Sequence, residues 1–242
     1  MDSTKYPGLI PSYEHERLEA LQPYQVLGTP GQEVFNDFVS VVARLFDMPI
    51  ALVSLVRADD VVFIGNEGLP EALVVAREDS MCSVAILNDG LTEFTDVAAD
   101  PCELVNPFVA QHMNLGFYAG QALRTPDGLA VGSLCVMDRR PRQLTPQEGE
   151  LLKELALVAQ ELLRLQAAQA TNPALMATLR TRLDGPVQQS LNRLTTLAKL
   201  GQWEETTDTA DAQGYTASRL DEARYLAQTL YRELQAALKS VR

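Results

Sequence analysis

Histidine is nearly missing from this chain: His15 and His112 are the only two in 242 residues. Zinc and haem sites need several ligands at suitable spacing, and none converge here, so no metal site is expected. Cysteine is scarce as well. Cys82, Cys102 and Cys135 are odd in number and widely spaced, which points to reduced thiols rather than a disulfide framework. No apolar run approaches the ~20 residues needed to span a bilayer. The first residues, Met1-Asp2-Ser3-Thr4-Lys5-Tyr6-Pro7, lack the basic and apolar segments of a signal peptide, so a cytoplasmic location is expected. There is no excess of positive charge. Residues 1–170 carry 24 acidic and 11 basic side chains, and residues 171–242 carry 8 and 9, for a net charge of −12. An acidic body without a basic patch argues against nucleic acid and against anionic membranes as partners. No glycine-rich phosphate loop, nucleophile elbow or paired catalytic carboxylates stand out, and no catalytic residue is assigned.

What is present is a globular composition, 46% hydrophobic and 21% charged. Phe117 to Asp138 reads as two strands joined at Pro126-Asp127-Gly128, where Pro presets φ and Gly accepts a positive one. Ile50 to Val56 is a near-continuous apolar run, read as a buried strand. Asp59-Asp60 turns it back into Val61-Val62-Phe63-Ile64. Leu91 to Val97 reads as a further strand. Helices are expected over Ser12–Leu27, with Pro23 near its end, over Pro30–Phe46 and over Ser80–Leu87, with a short one opening at Asn106-Pro107.

Thr145-Pro146-Gln147-Glu148 combines an N-cap Thr, a Pro at N1 and a Glu at N3. It launches a helix to about Ala170, in which Leu151, Leu155, Val158, Leu162 and Leu165 form a heptad seam. Asn172-Pro173 is read as a boundary, dividing the chain into 1–170 and 171–242. Beyond it, Leu175 to Gly201 is helical, with a kink or break at Asp184-Gly185-Pro186. Glu204 to Gly214 reads as a loop. A last helix carries Leu220, Ala223, Ala227, Leu230, Leu234, Ala237 and Val241. These apolar faces suit a homodimer, with Leu151, Leu155, Val158, Leu162, Leu165, Leu220, Leu230 and Leu234 in its seam. They also suit a helical hairpin packed back onto its own first domain.

Several of these strings together resemble the GAF domain, a ligand-sensing module of signalling proteins, over roughly Tyr13 to Leu165. Glu16-Arg17-Leu18-Glu19-Ala20-Leu21 and Tyr24-Gln25-Val26-Leu27-Gly28-Thr29-Pro30 look like the lead-in of a bacterial subgroup. Pro49 to Leu55 resembles its first core strand. Arg77-Glu78-Asp79-Ser80-Met81-Cys82-Ser83, Asn106-Pro107, Phe117-Tyr118-Ala119-Gly120 and Gly132 to Asp138 follow in order. The resemblance implies an α+β fold: a central antiparallel sheet flanked by helices, with a small pocket between sheet and loops, followed by an α-helical hairpin or coiled coil. Phe63, Met81, Cys82, Phe108, Met113, Tyr118 and Cys135 are the candidate pocket residues. Their apolar character suits the core equally. Cys82 is followed by Ser83, not His, so no covalent bilin is expected. The signature of cyclic-nucleotide-binding members is not visible. The subgroup's usual Arg-Phe is replaced within Cys102-Glu103-Leu104-Val105.

Thr181-Arg182-Leu183-Asp184-Gly185-Pro186-Val187 resembles the phosphoacceptor box of histidine kinases, with Thr181 where the His would stand. A degenerate kinase-like dimerisation hairpin is one reading of the tail. The expected function is a sensor that binds an unknown small molecule and relays through a helical dimer to an unknown signalling partner. A ligand-free interaction scaffold is the alternative. A thiol-dependent enzyme resembling the GAF-fold methionine sulfoxide reductases is a third reading, and it needs Cys82 and Cys135 to sit together near the surface.

Overall fold

A computed structural model describes residues 6–25, 32–69, 73–108, 113–171, 173–202 and 210–239. The elements are α1 (Glu14–Leu21), α2 (Gln32–Leu45), β1 (Ile50–Val56), β2 (Asp60–Glu67), β3 (Val74–Ala76), α3 (Cys82–Ala85), β4 (Thr92–Phe94), β5 (Phe117–Arg124) and β6 (Ala130–Asp138). Three long helices follow: α4 (Pro146–Thr171), α5 (Pro173–Gln202) and α6 (Ala210–Lys239). The strands form one antiparallel sheet of six in the order β3-β2-β1-β6-β5-β4. This is the expected α+β architecture. Among the described residues no helix is long and apolar enough to cross a membrane.

Side chains alternate across a strand, so each strand feeds two cores. On β1, Ala51, Val53 and Leu55 enter the first core, while Ile50, Leu52 and Val56 enter the second. On β5, Phe117, Ala119 and Leu123 face the first and Tyr118 and Ala122 the second. The long hairpin forms as expected, in a register that sets Phe117 opposite Asp138 and Gly120 opposite Cys135. Gly128 takes a φ of 87° at its turn, a conformation that strains any residue with a Cβ.

The first core is the larger one. It joins that sheet face to α2 and α4, and continues into α5 and α6. The structure accounts for the leucine seam within one chain. Leu151, Leu155 and Val158 are 0% exposed and Leu162 4%, with Leu165 packed against the same core. Leu220, Leu230 and Leu234 of α6 are buried there too. The apolar stripe has the chain's own sheet and its own helices packed against it. The apolar cluster therefore runs across the Asn172-Pro173 boundary without a break.

Several boundaries differ from the sequence reading, each for a local reason. The first helix stops at Leu21, and Gln22–Tyr24, with Pro23 inside it, forms a 3-10 turn. Ser80–Leu87 contributes only the single turn Cys82–Ala85, because three-residue bonds such as Ser83 N–H to Ser80 O and Leu87 N–H to Val84 O tighten both flanks. The strand expected to reach Val97 ends at Phe94, and the Asp96 carboxylate then captures the N–H groups of Ala98 and Ala99 in a turn. Pro186 lies inside α5, which runs through it as one helix. Residues 210–214, expected in a loop, already belong to α6. His112 lies outside the described residues, as do 26–31 and 203–209.

Two local devices fix the helices. At α4 the capping box forms as expected: Glu148 N–H donates to Thr145 Oγ1 at 3.2 Å, and Thr145 N–H donates to Glu148 Oε2 at 2.8 Å. Thr145→Ala is expected to cost about 1 kcal/mol, read as a lower denaturation midpoint at unchanged slope. At α1 the device is ionic. Arg17, 0% exposed, donates to the carbonyls of Val56 (2.6 Å) and Ala130 (3.5 Å) and forks onto the Glu14 carboxylate. Arg77 holds the same carboxylate and the Leu9 carbonyl. This cluster docks α1 on the ends of β1 and β6.

Candidate functional site

The second face of the sheet is covered by α3 and the loops around it. Here the chain places its nucleophiles and its buried hydroxyls together. Ser54 and Ser133 are cross-strand partners on β1 and β6, both fully buried, with hydroxyl oxygens 3.0 Å apart. Cys135 lies two residues along β6, on the same face, opposite Leu52 and Gly120. Cys82 reaches it from the first position of α3, with the sulfurs 3.7 Å apart. The Cys82 N–H also donates to Ser80 Oγ at 3.3 Å.

Tyr118 completes the group. Its ring is fully buried, edge-on to Phe94, and its hydroxyl lies among Ser133, Cys82 and Cys135. The hydroxyl lies over Gly120, where a Cβ would come within 2.3 Å of it. Glycine at 120 thus leaves the room that the Tyr118 oxygen occupies beside Cys135.

The two thiols are driven apart electrostatically. The hydrogen bond from Cys135, with others from Ser133, Ser54 and Ser80, lowers Cys82 to about 6 against the opposing effect of burial. Cys135 is pushed well above the ordinary thiol range by burial and by its neighbour Cys82. Burial likewise raises the Tyr118 phenol. Cys102 sits apart from this network, in the loop after β4, where burial raises its thiol.

At the rim of this core the loops form a partly open cavity of about 420 Å³, lined by Asp96, Val97, Pro101, Pro107, Leu115 and Arg139 among others. Val97 and Leu115 belong to the second core, so its floor is continuous with the packed face. Arg139, immediately after β6, donates to the Met113 carbonyl at 2.7 Å. Among the described residues no three histidine, cysteine or acidic side chains converge as a metal site would require.

The candidate pocket residues separate into three groups. Phe63, Met81, Cys82, Tyr118 and Cys135 are buried members of the second core. Met113 packs against it, partly buried. Phe108 does not join them: it is 74% exposed. Sequence reading missed Ser54, Ser80, Ser133 and Gly120. The period of two in β1 and β6 carried a signal, because Ser54 continues the row of Ile50 and Leu52, and Ser133 the row of Cys135 and Met137.

Comparison with known proteins bears on the same segment. The chain is 34% identical over 163 residues to a cyclic di-GMP phosphodiesterase of Pseudomonas aeruginosa, which covers 67% of this chain and 27% of that protein. The chain thus spans about a quarter of that relative's length. Among solved structures, the GAF domain of an Acinetobacter phosphoenolpyruvate-protein phosphotransferase superposes with a TM-score of 0.49 at 12% identity, covering 65% of this chain and 96% of that one. The free methionine-R-sulfoxide reductase of Neisseria meningitidis, in complex with its substrate, gives 0.48 at 18% identity, covering 70% and 96%. The family model described as "GAF domain" matches residues 30–162, from α2 through the whole sheet into α4, and by that match this chain belongs to the GAF domain family.

Proposed function

We propose that this chain is a regulatory sensor module that takes a small molecule at the loop-rimmed cavity beside the second core and passes the occupied state to α4. The supporting observation is the position of the cavity. Its lining includes Val97 and Leu115 of the second core and Arg139 at the end of β6, and α4 starts a few residues further on. α4 packs on the sheet through the first core and on α6 by its other side. A ligand that favours one packing of β6 and its loops would therefore bias the helices. Arg139 and Asp96 give the cavity a cation and a carboxylate, which suits a polar ligand with both donors and acceptors. The output belongs to another protein or segment. The likeness to a cyclic di-GMP phosphodiesterase makes turnover of that messenger a candidate output.

A second reading, a ligand-free interaction scaffold, draws on the filled state of the second core. Five of the seven candidate pocket side chains are packed into it, while Phe108 (74%) and Leu73 (62%) lie exposed. Native mass spectrometry and thermal denaturation of the full chain separate the two. For a sensor, a removable mass per chain is expected, or a melting temperature that rises when low-molecular-weight cell extract is added; a ligand at a hundred times its Kd contributes about 2.7 kcal/mol. A bare chain with an unmoved melting temperature would favour the scaffold.

A further inference from the structure

We propose that Cys82 and Cys135 form a peroxide-oxidisable pair that closes into a disulfide between α3 and β6. The pair is 53 residues apart in sequence and 3.7 Å apart in space. A disulfide bond is about 2.05 Å, so the sulfurs must approach by about 1.7 Å to bond. The surroundings suit the chemistry. The Cys135 thiol and the buried hydroxyls of Ser133, Ser54 and Ser80 stabilise a thiolate at Cys82, and the Tyr118 hydroxyl lies beside both sulfurs.

Cys82 is the attacking sulfur. Its thiolate attacks one oxygen of hydrogen peroxide, the O–O bond breaks, and Cys82 becomes a sulfenic acid as the leaving hydroxide takes up the proton that Cys82 released on ionising and becomes water. The Cys135 sulfur then attacks the Cys82 sulfur. The S–O bond breaks, the S–S bond forms, and the departing hydroxide takes the Cys135 proton as a second water. Two thiols lose two electrons in all, and one peroxide gains them.

Access favours a small oxidant. Cys82 is 1% exposed and Cys135 0%, and the cover over them is α3, a single helical turn with turns on both sides. All four residues of α3 are buried, so oxidation needs a local opening of this segment, and a small oxidant such as peroxide needs the smallest one. A glutathione disulfide would need α3 to leave the sheet altogether. This inference does not depend on the ligand reading, because it requires neither an occupied cavity nor a downstream partner.

The test is peroxide treatment of the reduced full chain under native conditions, then quenching, non-reducing digestion and mass mapping. The expected result is an intact mass lower by two hydrogens and a crosslinked peptide joining Cys82 to Cys135, with Cys102 still alkylatable. Oxidised glutathione at equal concentration should give far less crosslink. In the Cys135→Ser variant the sulfenic acid has no resolving thiol, and a dimedone adduct on Cys82 is expected. Cys82 and Cys135 both remaining alkylatable after native peroxide treatment would overturn the proposal, as would a crosslink through Cys102 or one formed only by glutathione disulfide. The wild-type map decides the question even where a variant fails to fold.

Discussion

Leu155→Asp is expected to leave no folded protein. Leu155 is 0% exposed, on the side of α4 that lies within the first core. Truncating a buried Leu to Ala costs about 2–5 kcal/mol, and a carboxylate there adds the cost of an unpaired buried charge. The sum rivals the whole stability of a typical domain, about 5–15 kcal/mol. Lys153 on the same helix is exposed and, among the described residues, pairs with the exposed Glu150, so Lys153→Ala should shift stability by less than about 0.5 kcal/mol. Far-UV circular dichroism and size-exclusion chromatography of the two variants provide the check. The outcome also discriminates between covers for the heptad. A seam facing a second subunit would give a folded monomer with Leu155→Asp, and a seam facing the chain's own sheet would give collapse of strand and helix signals together.

Arg17→Ala is the second large effect, expected to cost about 3–5 kcal/mol because it strips the half-buried Glu14 carboxylate of one partner and leaves two strand carbonyls uncovered. The substitution also touches acid stability. Burial alone would raise the Glu14 carboxyl, but hydrogen bonds from Arg17 and Arg77 outweigh it, and its folded value lies below the ordinary 4.5. A depressed carboxylate contributes stability above the unfolded value and loses it as pH falls through the folded one. Unfolding midpoints from neutral pH down into the acid range should therefore drop in the wild type below 4.5. Glu14→Gln should have a lower midpoint at neutral pH and a flatter acid limb. Equal acid limbs in the two proteins would show that the Glu14 cluster does not govern that range.

The sequence made the backbone plan legible where local chemistry decides it. Pro126-Asp127-Gly128 placed the hairpin, Thr145 and Glu148 placed the start of α4, and the apolar run at Ile50–Val56 placed the inner strand. Periodicity was less informative about partners. Leu151, Leu155, Val158 and Leu162 announce an apolar face, but the same spacing serves a second chain, a sheet or both. Arg17 was illegible for the opposite reason: a charged residue in a short polar helix reads as solvated, and only tertiary placement beside Val56 and Ala130 buries it. The Cys82–Cys135 proximity depends on a strand and a single helical turn meeting across 53 residues, which no local window contains. Tyr118 and Phe63 could be named as pocket or core, but not distinguished, since both roles call for a large side chain on the inner face of a strand.

The family match ends at 162, inside α4, while the first core goes on through Leu191, Leu194, Leu226 and Leu230. The unit that is recognisable by descent is therefore smaller than the unit that has to fold. A fragment trimmed to the matched residues would carry its sheet intact yet expose the apolar sides of α2 and α4, and would lose Arg17 with its anchor at the other end. Grafting this GAF unit onto a different protein, by engineering or by recombination, would have to transfer both flanks with it, or supply an equivalent helical cover from the new host.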